Sequence, residues 1–225
     1  MNLGPNFALP CFTMMHPNTQ VQSVALHRGH LGVFATADIP RGTFVYVKDD
    51  LDVEIDEEQY ARLDALRRQH VDTFSYTEAT GSRVVSWDLA KYVNHSCHPN
   101  TMSTGWGPEV AVEDIPAGAE ITDEYGLLNI ESAMSCSCGS AVCRGQVEPD
   151  DNRRLVSFWD ELVQAALCFT HTVEQPLWCL IPTEEQRELE AYLAGRAQYR
   201  SVAELTHVPP NGAAATTEVA ARLRV

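Results

Sequence analysis

The chain has 225 residues, is 44% hydrophobic and 21% charged, and carries a formal net charge of −15. That length suits one sizeable domain or a domain with an appendage, and the composition is ordinary for a soluble globular protein. The acidic balance argues against general nucleic-acid binding, which relies on clustered Lys and Arg against phosphates, and fits a basic partner or simple solubility.

Residues 1–20, rich in Pro, Asn and Thr, read as an irregular lead along the surface. They lack the basic start and apolar block of a signal peptide, and no apolar run in the chain approaches a membrane span. Val21 to His27 reads as a first strand, Arg28-Gly29-His30 as a turn, and Leu31 to Ala35 as a second strand. Asp38-Ile39-Pro40-Arg41-Gly42 then sets a turn, because Pro presets φ and Gly suits the turn's end. The β-branched and aromatic run Phe44 to Val47 follows as a strand. The same punctuation recurs at Asp114-Ile115-Pro116-Ala117-Gly118, after the strand-like Val110 to Val112. These are two similar strand connections rather than a repeat architecture.

The spacing predicts a helix over 55–68, with Asp56 and Gln59 in capping-box positions and Tyr60, Leu63 and Leu66 on its apolar face. Residues 70–82 read as irregular, and Arg83 to Trp87 as strand. Past Gly145 the character changes. Leu155, Phe158, Trp159, Leu162, Val163, Ala166 and Leu167 fall at helical spacing, with Asp150 or Asp151 as cap. A further helix spans 183–193, with Thr183 and Gln186 in capping-box spacing and a close near Gly195. The Ala- and Thr-rich tail from Pro209 reads as loosely held.

Two stretches carry chemistry. The first is Tyr92-Val93-Asn94-His95-Ser96-Cys97-His98-Pro99-Asn100, almost every position of which offers a polar or sulfur atom. The second is Cys136-x-Cys138-x4-Cys143, three of the chain's seven cysteines. An odd count with such crowding is poor disulfide geometry and good metal geometry. It predicts a reducing intracellular compartment, cytoplasmic in the first instance, and does not exclude the nucleus. Zinc takes four ligands in a tetrahedron, so one ligand must come from elsewhere, and Cys97, also set among polar residues, is the best candidate. Cys11, Cys168 and Cys179 read as ordinary buried cysteines.

N-H-S-C-H-P-N, then E-I-T-D-E-Y-G (120–126), then C-S-C-G-S-A-V-C-R-G (136–145), in this order, resembles the SET-domain family of protein-lysine methyltransferases. H-L-G-V-F-A-T-A-D-I-P-R-G (30–42) is similar to that family's opening strands. The resemblance covers roughly residues 20–147. It implies a mostly β fold with some α: small curved sheets of β-clip type around a knot-like crossing, followed by a post-SET-like zinc loop and a C-terminal helical appendage. The domain limits it suggests are 1–20 for the lead, 21–130 for the catalytic domain, 131–149 for the zinc loop and 150–225 for the helical extension. It implies S-adenosyl-L-methionine as cofactor, with Gly32, Asn94 and His95 holding it. Tyr125 matches the catalytic tyrosine, and Cys97, Cys136, Cys138 and Cys143 match a structural zinc site.

Three positions depart from the family pattern. Only the second glycine of Gly-x-Gly is kept, at His30-Leu31-Gly32. Glu124 stands where Asp commonly precedes the tyrosine. Asp123 stands where Phe or Tyr usually lines the lysine channel, and residues two apart on a strand share a face, which would put its carboxylate beside Tyr125. The expected activity is methyl transfer to a lysine side chain of a protein, with no direct nucleic-acid or membrane partner. Two alternatives remain open: an enzyme acting on a small-molecule amine, and a zinc-stabilised binding module without turnover.

Overall fold

The computed structural model describes residues 14–24 and 30–208. In chain order its strands are β1 (Thr19–Ser23), β2 (Leu31–Ala35), β3 (Phe44–Tyr46), β4 (Val53–Ile55), β5 (Ser75–Thr77), β6 (Arg83–Val85), β7 (Asn94–His95), β8 (Thr101–Ser103), β9 (Glu109–Ala111), β10 (Glu120–Asp123), β11 (Met134–Ser135) and β12 (Gln146–Val147). The helices are α1 (Glu57–Ala61), α2 (Ala65–Phe74), α3 (Asp151–Arg154), α4 (Val156–Leu167) and α5 (Thr183–Leu193). The strands form small sheets ordered β1-β2-β10-β7, β3-β9-β8, β4-β6-β5 and β11-β12. All the pairings are antiparallel except one: β7 runs parallel to β10, pairing Asn94 with Thr122 and His95 with Asp123. No described helix is long and apolar enough to cross a membrane.

The two Asp-Ile-Pro-x-Gly turns are bonded to each other. Ile39 and Ile115 exchange backbone hydrogen bonds of 2.8 and 2.9 Å. Asp114 Oδ1 accepts from Arg41 N–H, and Asp38 Oδ1 accepts from Ala117 N–H, both at 2.8 Å. Gly42 and Gly118 close the turns at φ of 88° and 83°, a region open to glycine at little cost. The repeated pentapeptide is therefore a reciprocal clasp between the connections that follow β2 and β9.

The N-terminal lead is tied down where it is described. Met15 is fully buried and bridges Tyr46, His16 N–H donates to Val45 O, and Val47 N–H donates to Met14 O. Asp88 explains the docking, since one carboxylate oxygen accepts from both Met14 and Met15 N–H. The surface lead expected over 1–20 is thus corrected for its described part. Cys11, the turn at Arg28-Gly29 and the tail from Pro209 lie outside the described residues.

The helix expected over 55–68 is broken in two. Asp56 and Gln59 form the capping box, but Asp64 accepts from Arg67 N–H at 2.9 Å and starts α2 afresh. A side-chain cap competes with helix continuation at such a residue. Leu66, placed on the apolar face by the unbroken pattern, is consequently 77% exposed, and Val71 is the buried residue. The supposedly irregular 70–82 contains the end of α2 and the strand β5.

The C-terminal helices share one core with the β3-β9-β8 sheet. Trp159, Val163, Ala166 and Leu167 of α4 and Leu189 of α5 join Phe44, Met102 and Val110. Phe158, on the expected apolar stripe, is exposed. α5 has the anticipated bounds, but its capping box does not form: Thr183 makes no side-chain cap, and the Gln186 amide donates to Trp178 O instead. Cys168 and Cys179 are exposed rather than buried, one closing α4 and the other within a 3₁₀ turn. Asp160 on α4 accepts from Tyr199, Ser201 and Val202, which folds the segment after α5 back onto α4.

The indole of Trp159 lies against Gly126, where an added Cβ would stand 2.6 Å from the ring. Trp159→Ala removes a side chain that is 1% exposed and should cost about 3–5 kcal/mol, read as a lowered urea midpoint. An unchanged midpoint would mean that the appendage does not share this core.

Candidate functional site

The parallel pairing of β7 with β10 brings the two chemistry-bearing stretches together. Ser96 N–H donates to Asp123 O at 3.0 Å and extends the ladder. Asn100 clamps the far side: its Nδ2 donates to Glu120 O at 2.8 Å and its Oδ1 accepts from Thr122 N–H at 2.9 Å. Asn94 and Cys97 therefore sit on one short segment whose backbone and side chains are held by the strand that leads to Tyr125.

Asn94 meets Gly32 across the sheet. Its amide Nδ2 donates to Leu31 O at 2.9 Å and to Glu120 Oε1 at 2.7 Å. A Cβ at Gly32 would collide with the Glu120 carboxylate. A side chain at Gly32 would have to displace the Glu120 carboxylate from the Asn94 amide, and Glu120, absent from the sequence-derived site, is the third member. Its signal was its place three residues before Asp123 in the E-I-T-D-E-Y-G stretch.

His95 lies apart from that group. Its Nδ1 is 3.2 Å from both Asp123 O and Tyr125 N, and its Nε2 is 3.3 Å from Cys97 Sγ. A proton on Nε2 satisfies both ends, since Nδ1 then accepts the Tyr125 N–H while Nε2–H faces the sulfur. Burial lowers its pKa below the ordinary histidine value, although Glu124 opposes this. The imidazole is a neutral link between the tyrosine segment and the cysteine cluster, and its ring does not reach Asn94's partners.

The four expected cysteines converge. Cys97, Cys136, Cys138 and Cys143 hold their sulfurs within 4.8 Å of one another. The Cys97–Cys136 and Cys136–Cys143 sulfur pairs are 3.7 Å apart, too far for a disulfide bond of about 2.05 Å. A tetrahedron with metal–sulfur bonds of about 2.3 Å has edges of about 3.8 Å, so the spacing suits one ion. Backbone donors face the sulfurs: Cys97 N–H to Cys138, Arg144 N–H to Cys97 and Gly145 N–H to Cys143, at 3.4, 3.3 and 3.4 Å. Burial opposes ionisation of Cys138, yet the N–H groups of Cys97 and Ser140 help bring its thiol down to about 6. Burial has the opposite outcome at Cys136, whose thiol is pushed up to about 12, and at Cys97, whose thiol is also raised, so Cys138 is the one favoured as a thiolate before any ion arrives.

Arg144 and Glu124 form the strongest polar contact at the site. Two guanidinium nitrogens each donate at 2.7 Å to the two oxygens of Glu124, which is 0% exposed. Glu124 Oε1 also accepts Gly126 N–H at 2.9 Å, and Arg144 stands 3.5 Å from the buried Asp151. A sequence reading treats Glu124 as a mild variant and Arg144 as an anonymous basic residue beside a cysteine. Neither partner predicts the other across 20 residues.

Tyr125 donates its phenol to Val93 O at 2.7 Å and stacks its ring 5.4 Å from His95. Burial, then the charges of Asp123, Glu109 and Glu120, push the phenol well above its ordinary range. Asp123 is 3% exposed, and its Oδ1 has no hydrogen-bond partner among the described residues. Glu109, on β9, was not singled out by the sequence, because an isolated Glu before a strand carries no pattern.

Comparison with known proteins agrees with this geometry. Residues 30–126 match the SET domain family model. The chain is 29% identical to the histone-lysine N-methyltransferase NSD3 of Mus musculus over 150 residues, 60% of this chain and 10% of that protein. It is 30% identical to the histone-lysine N-methyltransferase Set2 of Drosophila melanogaster over 137 residues, 54% of this chain and 6% of that protein. It thus spans at most a tenth of either relative. A crystal structure of KRYPTONITE in complex with mCHG DNA and SAH aligns at a TM-score of 0.40 and 18% identity, over 58% of this chain and 29% of that one. The family match falls on the segments that carry Gly32, Asn94, His95, Cys97 and Tyr125, so residues 30–126 of the chain are similar to a SET domain.

Proposed function

We propose that the chain is an S-adenosyl-L-methionine-dependent N-methyltransferase acting on a lysine side chain of a protein. The observation that carries this reading is the joining of Gly32, Asn94 and Tyr125 through one parallel strand pair inside the SET match. The names of the matched relatives, histone-lysine N-methyltransferases, support a basic protein tail as acceptor. The acidic surface of this chain suits such a partner.

The residues present fit the cofactor. Gly32 leaves the backbone uncovered beside the Glu120 carboxylate, and the Asn94 amide, Leu31 carbonyl and Glu120 carboxylate present donors and acceptors in the same corner. When bound, S-adenosyl-L-methionine supplies an electrophilic methyl on a sulfonium. The chain's own work is alignment, exclusion of water and control of the acceptor's proton. A lysine amine has a reference pKa of about 10.4, so being neutral near pH 7 costs about 4–5 kcal/mol. Tyr125 cannot readily relieve that cost as a base, because its own phenol is pushed up and already donates to Val93 O. It orients the amine and the methyl.

The four cysteines are proposed to bind one structural zinc ion in a post-SET-like loop. That ion would fix β11, β12 and Arg144 against the tyrosine segment.

Incubation with methyl-labelled cofactor and purified core histones should place label in protein. Tyr125→Phe should lower the rate by about 10²–10³-fold, the usual effect of deleting one oriented hydroxyl donor, with the fold retained. Label appearing only in free L-lysine offered in parallel would move the acceptor class to small amines, and no label in either would end the enzyme reading. Cys97→Ser should drop bound zinc from one per chain to well below one by elemental analysis, and full retention would remove Cys97 from the ligand set.

A further inference from the structure

We propose that the Asp123 carboxylate, next to the tyrosine segment, receives the acceptor amine as a cation and takes its proton before methyl transfer, with Glu109 as a second acid on a neighbouring strand. The inference rests on the methyltransferase reading above and names the group that controls the acceptor's proton.

Other buried acids in this chain are saturated. Asp88 accepts the N–H groups of Met14, Met15 and Ala90, and Asp52 accepts the Tyr46 hydroxyl and Trp87 N–H. Glu124 has Arg144 and Gly126. Asp123 differs: one oxygen is buried and unpartnered, which in a native core calls for an explanation. Among the described residues, no Lys or Arg pairs with Asp123 or Glu109. A buried carboxylate without a cation is expensive, and an entering ammonium supplies the missing partner.

The two acids lie on adjoining elements. β10 carries Asp123, and β8, which pairs with β9, is joined to β10 by the Thr101 hydroxyl donating to Thr122 O at 3.0 Å. Both charges bear on Tyr125, Asp123 the more strongly. Burial raises the Asp123 carboxyl to about 7; Glu124 N–H pulls it back and the Glu124 charge adds to the rise. Burial, then Asp123 and Asp88, raise Glu109 well above the carboxylate range. The other titratable neighbours are Tyr76, whose phenol feels Glu109, and neutral His95, whose Nδ1 contacts the Asp123 carbonyl. Asp123 is buried and Glu109 half-buried, and the Asp123 charge opposes ionisation of Glu109.

The step balances. An N–H bond of the ammonium breaks, its electron pair stays on nitrogen, and the proton passes to the Asp123 carboxylate. That electron pair then forms the new N–CH₃ bond as the methyl's bond to sulfur breaks, its electrons going to sulfur and cancelling the sulfonium charge. The methylated nitrogen carries the positive charge, and Asp123 returns its proton to solvent after product release.

Asp123→Asn and Glu109→Gln keep shape and remove charge. The first readout needs no acceptor. A carboxyl raised by folding binds a proton that the unfolded chain has released, so stability falls as pH rises from the ordinary carboxylate range to about 7. Asp123→Asn should therefore gain several degrees in Tm over wild type at about pH 8 and little at about pH 5. A loss of Tm equal at both pH values would make Asp123 an ionised structural anion and overturn the proposal. The second readout is the rate of histone labelling against pH. Wild-type activity should rise through an apparent pKa near that of Asp123. Asp123→Asn should fall by about 10²-fold at neutral pH, with its rise moved to the alkaline range of the amine, and Glu109→Gln should displace the wild-type limb. An unchanged profile in Asp123→Asn overturns the proposal. If wild type labels no protein, the methyltransferase reading itself fails, and the Tm comparison still judges the protonation of Asp123.

Discussion

The fully buried carboxylate of Glu124 is the constraint on which the site depends. It stands beside Tyr125, receives the Arg144 fork, and holds Gly126 N–H. Arg144 in turn follows Cys143, gives its backbone N–H to Cys97 Sγ, and faces Asp151 at the start of α3. One ion pair therefore touches the tyrosine segment, the cysteine loop and the C-terminal helices. Its value is not counted well as net stability, because desolvating two charges offsets most of their attraction. It matters as registry: with Arg144 absent, Glu124 would be an uncompensated charge at the centre of the site. Bidentate geometry also fixes the angle between loop and strand in a way that a lysine's point charge could not.

The second element of registry is packing. Trp159 on α4 presses against Gly126, directly after the tyrosine, while its neighbours Val163, Ala166 and Leu167 complete the core under the β3-β9-β8 sheet. That sheet carries Glu109. The helical appendage thus packs behind both Gly126 and the sheet that carries Glu109, and a shift of α4 would be felt at both.

Much of this was legible in the sequence, and the boundary between what was and was not follows a physical rule. Local signals translated directly: β2 over 31–35, the bounds of α5, the Asp56–Gln59 box, and the closeness of Cys136, Cys138 and Cys143 all arise within a few residues. Cys97 was reachable because a tetrahedral ion needs a fourth ligand. The misses are competitions between local options or contacts with no local trace. Asp64 could cap or continue a helix, and it capped. Gln186 could close a box or reach Trp178, and it reached. The repeated Asp-Ile-Pro-x-Gly turns announced their own conformation but not that each caps the other. Glu124–Arg144 is a tertiary meeting of residues that look ordinary alone.

The two acidic residues at the strand's end, Asp123 and Glu124, show how little sequence distance says about role. They are adjacent and both buried. Glu124 is surrounded by donors, and its cation is supplied by the chain. Asp123 has one backbone donor and a second acid as neighbour, so its charge is unpaid from within. The two carboxylates have different neighbours: that of Glu124 meets Arg144, while the charge of Asp123 bears on the Tyr125 phenol. A fold selected only for stability would put an apolar side chain at the second position, where it would cost nothing to bury. The retained carboxylate makes sense if the missing cation arrives from outside, so that the same strand holds one acid for architecture and one for the acceptor.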